Sequence, residues 1–420
     1  MRKLCCIAIF LALLPARTYS QEDTQAKSGS PFSQAKFVPD ISLILDCSFV
    51  HRNLSNEQFD NLSIPGVARW MEPLHAQKGF NLNYGEITFY SVVDPYFELF
   101  AVCHLSEHAF HLEEAYWMTK KFPLGFQLKA GKFLSSFGRI NDQHCHYWDF
   151  ADRPLVYGAM FGEDGLSEIG ARLTWVAPLD MYALLGMEVL QGDNEGSFGR
   201  QGLQDSQGTV SVSSIDGPSL LVAYLKSSVD VGDASVLAGV SGGRGTTRRD
   251  DGFSLGDQNG RAFSGETEIY ACDVTVKYPL DAIRYVSVQA EYLWRNTDGT
   301  LYLREVGQPV TRPASTEHLS GFYAQAVLKA NLRWRMGLRC DLLRTDEGVM
   351  KELGLGGAEN LPRISGMIEF NPTEFSRIRL QYNYDRTRYD FADGVPIKIT
   401  MHELILQVNL AIGAHGAHPF

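Results

Sequence analysis

Basic side chains recur at every second or fourth position in two stretches near the C-terminal end of this sequence. Acidic residues occupy matching positions in and near the same stretches. Fixed cations in a narrow aqueous passage attract anions and replace their hydration with charge-assisted hydrogen bonds. Cations interleaved with carboxylates can instead form salt bridges that brace a wall, and both interpretations stay open. The basic residues are Lys329, Arg333, Arg335, Arg339, Arg377 and Arg379, and the acidic residues are Glu291, Asp341, Glu369 and Asp385.

Histidines are concentrated between residues 104 and 146, where they could bind a metal ion. A His-x-His spacing places two imidazoles on one side of a strand, and imidazole with carboxylate suits zinc, nickel or copper. Exposed loop histidines without a fixed outer shell are far commoner than metal sites, so this is one of two interpretations. The candidates are His104, His108, His111, His144 and His146. No cofactor is predicted apart from this candidate site.

The stretch 135–165 is dense in ionisable and aromatic groups. Long connections of this kind often carry function. The alternative is an ordered external loop that its aromatic side chains hold in place. The charged candidates in this stretch are Arg139, Asp142, Asp149, Asp152 and Arg153.

A pattern of period two positions these residues, and it runs from Ile41 to the end of the chain. Ile378 and Leu380, for example, alternate with Arg377 and Arg379. Such alternation predicts strands with one apolar and one polar face. About sixteen candidates follow, many of them near the length of about ten residues that a tilted membrane strand needs. They lie near residues 41–50, 80–93, 96–105, 110–119, 125–134, 166–176, 180–191, 219–228, 234–243, 266–277, 284–295, 319–330, 332–343, 363–371, 376–386 and 401–412.

The connections between these candidates alternate between short and long. Turn-forming residues fill the short ones, as in Asp94-Pro95 and Tyr278-Pro279-Leu280-Asp281. The long ones include 51–79, 135–165, 192–218, 244–265 and 296–318, and a single short exception lies near 105–109. Segregated loop lengths are typical of outer-membrane barrels and are not expected of a soluble sandwich. The sequence therefore predicts an all-β, transmembrane antiparallel meander β-barrel with both termini on the periplasmic side.

The N-terminal region and the composition agree with an exported protein. Arg2 and Lys3 precede a short apolar run, which predicts a signal peptide over residues 1–20. Residues 21–40 are polar and predict a flexible periplasmic lead-in, and the barrel is expected over 41–420. A net charge of −11 argues against a nucleic-acid partner. After the signal no apolar run reaches about 18 residues, so helical membrane spans are not expected.

The cysteines that remain after the signal follow the strand pattern. Cys47, Cys103, Cys272 and Cys340 share the positions of apolar neighbours, which predicts small lipid-facing side chains. Cys145, between two histidines, is the one left for chemistry. No disulfide framework is predicted.

Four stretches carry a family resemblance: Leu128-Lys129-Ala130-Gly131-Lys132-Phe133, Phe137-Gly138-Arg139-Ile140-Asn141, His144-Cys145-His146-Tyr147-Trp148-Asp149-Phe150, and Arg153-Pro154-Leu155-Val156. The ending Gly413-Ala414-His415-Gly416-Ala417-His418-Pro419-Phe420 carries it too. These stretches resemble porin-like outer-membrane proteins of Gram-negative bacteria related to the phosphate-selective porins. In general porins with sixteen strands a third outer loop folds into the lumen, so the resemblance implies that 135–165 forms a constriction.

Some proteins that this chain resembles carry the label of a TonB-dependent receptor. A transporter of that class needs about 22 strands and a folded plug domain in the lumen. The lead-in before Ile41 is too short to supply that domain. No plug domain is therefore predicted.

These observations predict an outer-membrane porin-type channel for passive or weakly selective diffusion of small hydrophilic solutes, anions among them. Two alternatives stay open: a metal- or ligand-binding receptor that uses the histidine-rich loops, and a non-conducting structural barrel or adhesin. No enzymatic activity is predicted, because nothing singles out a nucleophile. Expected partners are outer-membrane lipid, barrel-assembly machinery and small solutes or ions, and a homo-oligomer stays open.

Overall fold

The computed structural model describes residues 39–67, 74–106, 109–120, 122–194, 196–205, 210–255, 259–355, 357–391 and 395–413. The predicted signal peptide, the lead-in up to residue 38, His108 and residues 414–420 lie outside these ranges.

Sixteen strands form a closed barrel. They are β1 (Asp40–Arg52), β2 (Gly79–Val92), β3 (Phe97–Leu105), β4 (Phe110–Thr119), β5 (Phe126–Leu134), β6 (Ser167–Val176), β7 (Tyr182–Leu190), β8 (Leu220–Val231), β9 (Ala234–Asp251), β10 (Gly260–Pro279), β11 (Tyr285–Arg304), β12 (Ala314–Lys329), β13 (Trp334–Thr345), β14 (Asn360–Thr373), β15 (Ser376–Asp385) and β16 (Met401–Gly413). Every predicted strand has a counterpart in this set.

Each strand pairs antiparallel with its neighbours in sequence, and β1 closes the barrel by pairing with β16. The closing register sets Ser42 opposite Gly413 and Arg52 opposite Glu403. Closure leaves no free edge in the barrel sheet. A sheet in lipid has to close, because no water is present there to satisfy unpaired backbone groups. The prediction of an all-β meander barrel is confirmed.

The strands bury their polar faces and expose their apolar faces, the reverse of a soluble protein. In β15, Arg377 and Arg379 are buried, whereas Ile378 and Leu380 are 39% and 44% exposed. An outward apolar band and a polar interior are the surface that a lipid bilayer selects. The barrel is therefore of the outer-membrane type.

Exposed aromatic side chains gather at the end of the barrel that carries the short turns. Amphipathic aromatic rings favour the boundary between hydrocarbon and water, where they form a girdle. This arrangement marks a membrane boundary at the end with the short turns, here called the periplasmic end after the orientation predicted from the loop lengths. The girdle contains Tyr96, Phe97, Trp117, Phe122, Tyr182, Tyr278, Trp334 and Phe375.

Strands β9 to β12 are longer than the sequence predicted. β9 continues to Asp251 and β10 starts at Gly260, where a loop over 244–265 was expected. β11 likewise continues to Arg304, and β12 starts at Ala314. The ladder continues beyond the bilayer, where lipid no longer imposes an apolar outer face, so the alternation fades while the pairing persists.

The cysteines of the described residues are free thiols. Cys272 and Cys340 are exposed on the outer face as predicted, and Cys47 is half-buried. Cys103 is buried, contrary to the prediction of lipid exposure. It lies at a register shift between β3 and β4, where the simple two-residue period breaks.

Short elements occur in the connections between the wall strands. Helices α1 (Asn56–Asp60), α2 (Leu155–Phe161) and α3 (Glu347–Glu352) occur in the outer connections. None of the helices in the described ranges is long and apolar enough to cross a membrane. Small ladders join Leu62–Ser63, Tyr389–Asp390 and Ile397–Lys398, and also Leu203–Gln204 and Ser211–Val212.

The main apolar core lies inside the barrel. All seven residues of α2 are buried, and Phe137 packs edge-to-face on Phe161 with ring centroids 5.6 Å apart. These residues pack against inward-facing wall residues such as Leu190, Ile269 and Leu343. The alternation predicts one polar face for each strand, whereas part of the interior is lined by apolar residues.

Candidate functional site

Residues 135–165, here called the lumen segment, leave the wall at the end of β5 and return to it at β6. Both ends are fixed to the wall and to each other. The hydroxyl of Ser135 donates to Glu188, and the amide of Asn141 donates to the carbonyl oxygens of Ser135 and Leu166 at 2.8 and 3.0 Å. The lumen segment is therefore a closed loop that enters the barrel, not an external loop.

A buried acid in the lumen segment meets two arginines of the wall. Oδ1 of Asp152 accepts hydrogen bonds from Arg339 at 2.6 Å and from Gln381 at 2.7 Å. Its other oxygen lies 2.9 Å from Nη1 of Arg363. Burial disfavours the charged form of Asp152, but Arg339 and Arg363 outweigh it and hold the pKa of Asp152 below its usual value.

Wall arginines also bind backbone carbonyl groups of the lumen segment. Arg377 donates to the carbonyl oxygen of His146 at 2.7 Å, and Arg379 donates to that of Trp148 at 2.9 Å. Arg339 donates to the carbonyl oxygen of Asp152 at 2.8 Å. Planar guanidinium groups with several fixed donors suit this role, because each can hold a carboxylate and a carbonyl together.

Glu369 on β14 joins arginines of the two flanking strands, β13 and β15, into one network. It lies 3.0 Å from Nη1 of Arg335 and accepts a 2.7 Å hydrogen bond from Arg379. Arg335 in turn forms an ion pair with Asp149 of the lumen segment. The network connects the wall to the segment near the periplasmic half of the barrel.

Carboxylates of β11 and β13 hold the start of the lumen segment and helix α2. Glu291 accepts hydrogen bonds from the hydroxyl of Tyr157 at 2.6 Å and from the backbone amide of Arg139 at 2.8 Å. Asp341 accepts a 2.9 Å hydrogen bond from the backbone amide of Leu155. Wall carboxylates therefore fix the backbone of the segment at these points, as wall arginines do at His146, Trp148 and Asp152.

Most of the charged wall residues predicted from the sequence point into the barrel, and several of them contact the lumen segment. Lys329 is half-buried near the periplasmic end, and Asp385 accepts hydrogen bonds from Thr387 near the outer end. Arg333 does not belong to the set, because it is exposed in the turn between β12 and β13. The predicted strand began at residue 332, two residues before the observed start at Trp334.

The charged candidates within the lumen segment take different positions. Asp149 and Asp152 face wall arginines, as described above. Asp142 is exposed to the interior and accepts a 2.7 Å hydrogen bond from Ser136. Arg153 stacks over Trp148 at 5.0 Å and donates to the carbonyl oxygen of Glu163.

Several wall residues that hold the lumen segment were not predicted from the sequence. They include Arg363, Gln381 and the pair formed by Arg172 and Glu188, whose atoms lie 2.7 Å apart. Each occupies an inward position of its strand, so the period-two pattern could have identified them. Some inward positions, such as Leu343, carry apolar residues. These positions indicate that part of the barrel interior is packed, which was not predicted.

Histidines and glutamates converge between the wall and the lumen segment. Ligand atoms of Glu86, His104, Glu113 and His144 lie within 4.8 Å of one another. His146 is adjacent, with its Nδ1 atom 3.2 Å from Glu86. The predicted candidate His111 is exposed on β4 outside this cluster, and His108 lies outside the described residues.

A cavity of about 820 Å³ adjoins the cluster near the outer ends of β2 to β7. His104, Glu113, Cys145, Arg153 and Glu168 are among its lining residues.

A second group of cations lies near the periplasmic end of the interior. Lys329 pairs with Tyr285 on one side and with Arg335 on the other. Nζ of Lys277 lies 4.3 Å from the centre of the Tyr285 ring. Nζ of Lys329 lies 5.7 Å from the same ring, so both lysines contact one aromatic side chain.

No protein-family model matches the chain. An uncharacterized protein of Aquifex aeolicus (strain VF5) is 44% identical over 416 residues, which is 97% of this chain and 85% of that protein.

Solved structures with a similar fold are outer-membrane barrels. Pseudomonas putida OprB matches with a TM-score of 0.54 and 11% identity over 90% of this chain and 94% of its own. An anion-selective porin from Comamonas acidovorans matches with 0.53 and 9% identity over 90% and 100%. The outer membrane channel DcaP of Acinetobacter baumannii matches with 0.53 and 10% identity over 90% and 99%. At these identities the likeness concerns the fold.

Proposed function

This chain belongs to the same family as the Aquifex aeolicus protein and has the sixteen-stranded fold of outer-membrane porins, and we propose that it is a porin-type channel. Small hydrophilic solutes cross it by diffusion. The lumen segment forms the constriction, and the remaining space beside it forms the pathway.

The observation that carries this proposal is the fixed position of the lumen segment inside the barrel. It is the third outer connection, and it contacts wall strands all around the interior, from Glu188 on β7 to Arg379 on β15. A channel needs a polar passage that is narrow enough to select but not sealed. A loop held by side-chain contacts to the wall narrows a lumen without adding a domain.

We also propose that the pathway prefers anions. Lys277 on β10, Lys329 on β12 and Arg335 on β13 lie near the periplasmic end, with Tyr285 of β11 between the two lysines. Fixed cations at a narrow point raise the local concentration of anions and repel cations. The acidic partners Asp149 and Glu369 neutralise Arg335 in part, and Lys277 and Lys329 add positive charge to the same region.

The competing proposal is a barrel that does not conduct. It is favoured by the apolar packing of Phe137, Phe161 and helix α2 against inward wall residues. Apolar packing excludes water and would close the outer half of the lumen. The two proposals predict opposite results for ion current across a membrane. This difference does not depend on the identity of the natural solute.

Planar-bilayer recording of the purified full chain decides between them. The channel proposal predicts discrete current steps after insertion, and heat-denatured protein should give none. In a KCl gradient the reversal potential should carry the sign of chloride preference. Silence across many verified insertions would support the non-conducting barrel instead.

A further inference from the structure

Four side chains from four parts of the chain aim their ligand atoms at one point between the barrel wall and the lumen segment. Glu86 comes from β2, His104 from β3, Glu113 from β4 and His144 from the lumen segment. Oε2 of Glu113 lies 2.7 Å from Nε2 of His104 and 3.1 Å from Nδ1 of His144. Oε2 of Glu86 lies 3.3 and 3.6 Å from the same two nitrogens.

Strand register and a β-bulge produce this convergence. Glu86 and His104 are direct partners across β2 and β3. Between β3 and β4 the register shifts, so that Val102 faces Glu114 and Cys103 faces Leu112, which leaves Glu113 as an extra residue. A bulge re-aims side chains. Here it allows two consecutive glutamates, Glu113 and Glu114, to contact His144.

The donor set and its spacing fit a small transition-metal ion. Zinc takes imidazole nitrogen at about 2.0–2.1 Å and carboxylate oxygen at about 2.0–2.2 Å, which places tetrahedral ligands about 3.3–3.5 Å apart. The ligand separations in the cluster bracket that range. Two imidazoles and two carboxylates suit zinc and related divalent metals better than calcium or magnesium, which prefer oxygen alone.

An outer carboxylate orients one of the two histidines. Nε2 of His144 lies 3.0 Å from Oε2 of Glu114, while Nδ1 faces the centre of the cluster. A hydrogen bond donated from Nε2 to a carboxylate leaves the Nδ1 lone pair free to bind metal. Carboxylate–histidine–metal arrangements are the usual support of metal-binding histidines. His104 is held by stacking on Tyr84, with ring centroids 5.1 Å apart.

We propose that Glu86, His104, Glu113 and His144 bind one divalent transition-metal ion, with zinc as the reference ion. Three ligands belong to the wall and one belongs to the lumen segment, so the ion ties the segment to the wall. The adjoining cavity of about 820 Å³, which His104 and Glu113 line, gives the ion a route from outside. The binding site does not depend on the channel function proposed above.

The competing explanation is a cluster of protonated histidines that forms ion pairs with the glutamates. Burial lowers the basicity of His144, but Glu113 and Glu86 outweigh it and raise the pKa of His144 above its usual value when no metal is bound. In that case the two histidines would carry protons, and no metal ion would lie between them and the glutamates. Direct measurement of metal binding separates the two.

The test is a zinc titration of the purified full chain in detergent, after removal of metal with a chelator. Competition with a chromophoric zinc chelator gives the stoichiometry and the dissociation constant. We expect one equivalent of zinc at neutral pH. His104→Ala and His144→Ala should each weaken binding at least about tenfold, and Glu114→Gln should weaken it by about 10–100-fold.

His111→Ala is the matched control, because His111 lies in the same hairpin but is exposed outside the cluster. It should bind zinc like the wild type. Heat-modifiable mobility in gel electrophoresis verifies that each variant forms a barrel. X-ray absorption on zinc-loaded wild type needs no variant and should show nitrogen and oxygen neighbours at about 2.0–2.2 Å, with two imidazoles.

Two results would overturn the proposal. One is a folded wild type that binds no stoichiometric zinc, which leaves the protonated cluster as the explanation. The other is zinc binding that survives His144→Ala and is lost in His111→Ala, which means adventitious capture at the surface. Neither measurement involves ion flux, so failure here and failure of the channel proposal are separate results.

Discussion

Oδ1 of Asp152 accepts a 2.6 Å hydrogen bond from Nη2 of Arg339, so a carboxylate of the lumen segment and a guanidinium of the wall meet inside the barrel. Both residues are about 2% exposed. They stand far apart in sequence, and the contact fixes the middle of the segment across the lumen. A channel constricted by the lumen segment depends on contacts of this kind.

Asp152→Ala should destabilise the protein strongly. Removal of one partner leaves Arg339 and Arg363 with less compensation for buried charge, which costs about 3–5 kcal/mol in the free energy of unfolding. Urea unfolding in lipid vesicles measures the change. Asp251→Ala is the control, because Asp251 is 69% exposed at the rim and lies 3.9 Å from Arg261. An exposed pair contributes about 0–1 kcal/mol, and equally small losses in both variants would refute the prediction.

Gly138→Ala should disrupt the entry of the lumen segment. Gly138 has a φ of +66°, and an added Cβ would lie 2.2 Å from both Glu291 and the hydroxyl of Tyr157. Left-handed backbone alone costs about 1–3 kcal/mol in a residue with a Cβ, and the collision adds to it. Gly232→Ala shares the backbone conformation, with a φ of +62°, but meets open space. Its loss of unfolding free energy should be clearly smaller, and equal losses would count against close packing at Gly138.

Acid should remove the stabilisation that Asp152 provides. Its pKa in the folded protein is lowered, so the stabilisation is complete above the unfolded pKa of about 3.9 and declines as the pH falls below it. The difference in unfolding free energy between wild type and Asp152→Asn should be constant near neutral pH and shrink below about pH 4. A difference that stays unchanged down to pH 3 would show that the charge of Asp152 contributes little.

Replacement of the two periplasmic lysines should shift ion selectivity. Lys277→Gln with Lys329→Gln removes positive charge beside Tyr285 while the pairing of the strands is preserved. The reversal potential in a KCl gradient should move toward cation preference. Lys351→Gln makes the same chemical change in α3, where Lys351 is exposed and pairs with Glu347, and should cause no shift. If neither variant changes the reversal potential, the lysines do not set selectivity.

The barrel was predictable because lipid imposes a rule on every strand. Outward positions must be apolar from β1 to β16, and loop lengths segregate by end, so the strand count and orientation follow from the sequence. The rule applies only within the bilayer. The extensions of β9 to Asp251 and of β11 to Arg304 lie beyond it, which is why they were missed.

The candidate site was predictable only on its wall side. Position within a strand directs Arg339 and Asp341 inward, but it does not say that Asp152, 187 residues away from Arg339, lies between the arginines. The metal cluster shows the same limit. The histidines were visible from their spacing, whereas the role of Glu113 depends on a bulge that no local pattern reports.

The single-channel conductance of a variant that lacks the interior of the lumen segment tests the central claim most directly. Asn141 and Leu166 are already joined by two hydrogen bonds, so a short glycine–serine linker can replace residues 143–163. The control shortens the exposed outer hairpin over 305–310. We predict a several-fold larger unit conductance for the lumen-segment variant and an unchanged one for the control. Equal conductance in wild type and both variants, or a silent wild type beside a conducting variant, would contradict the account.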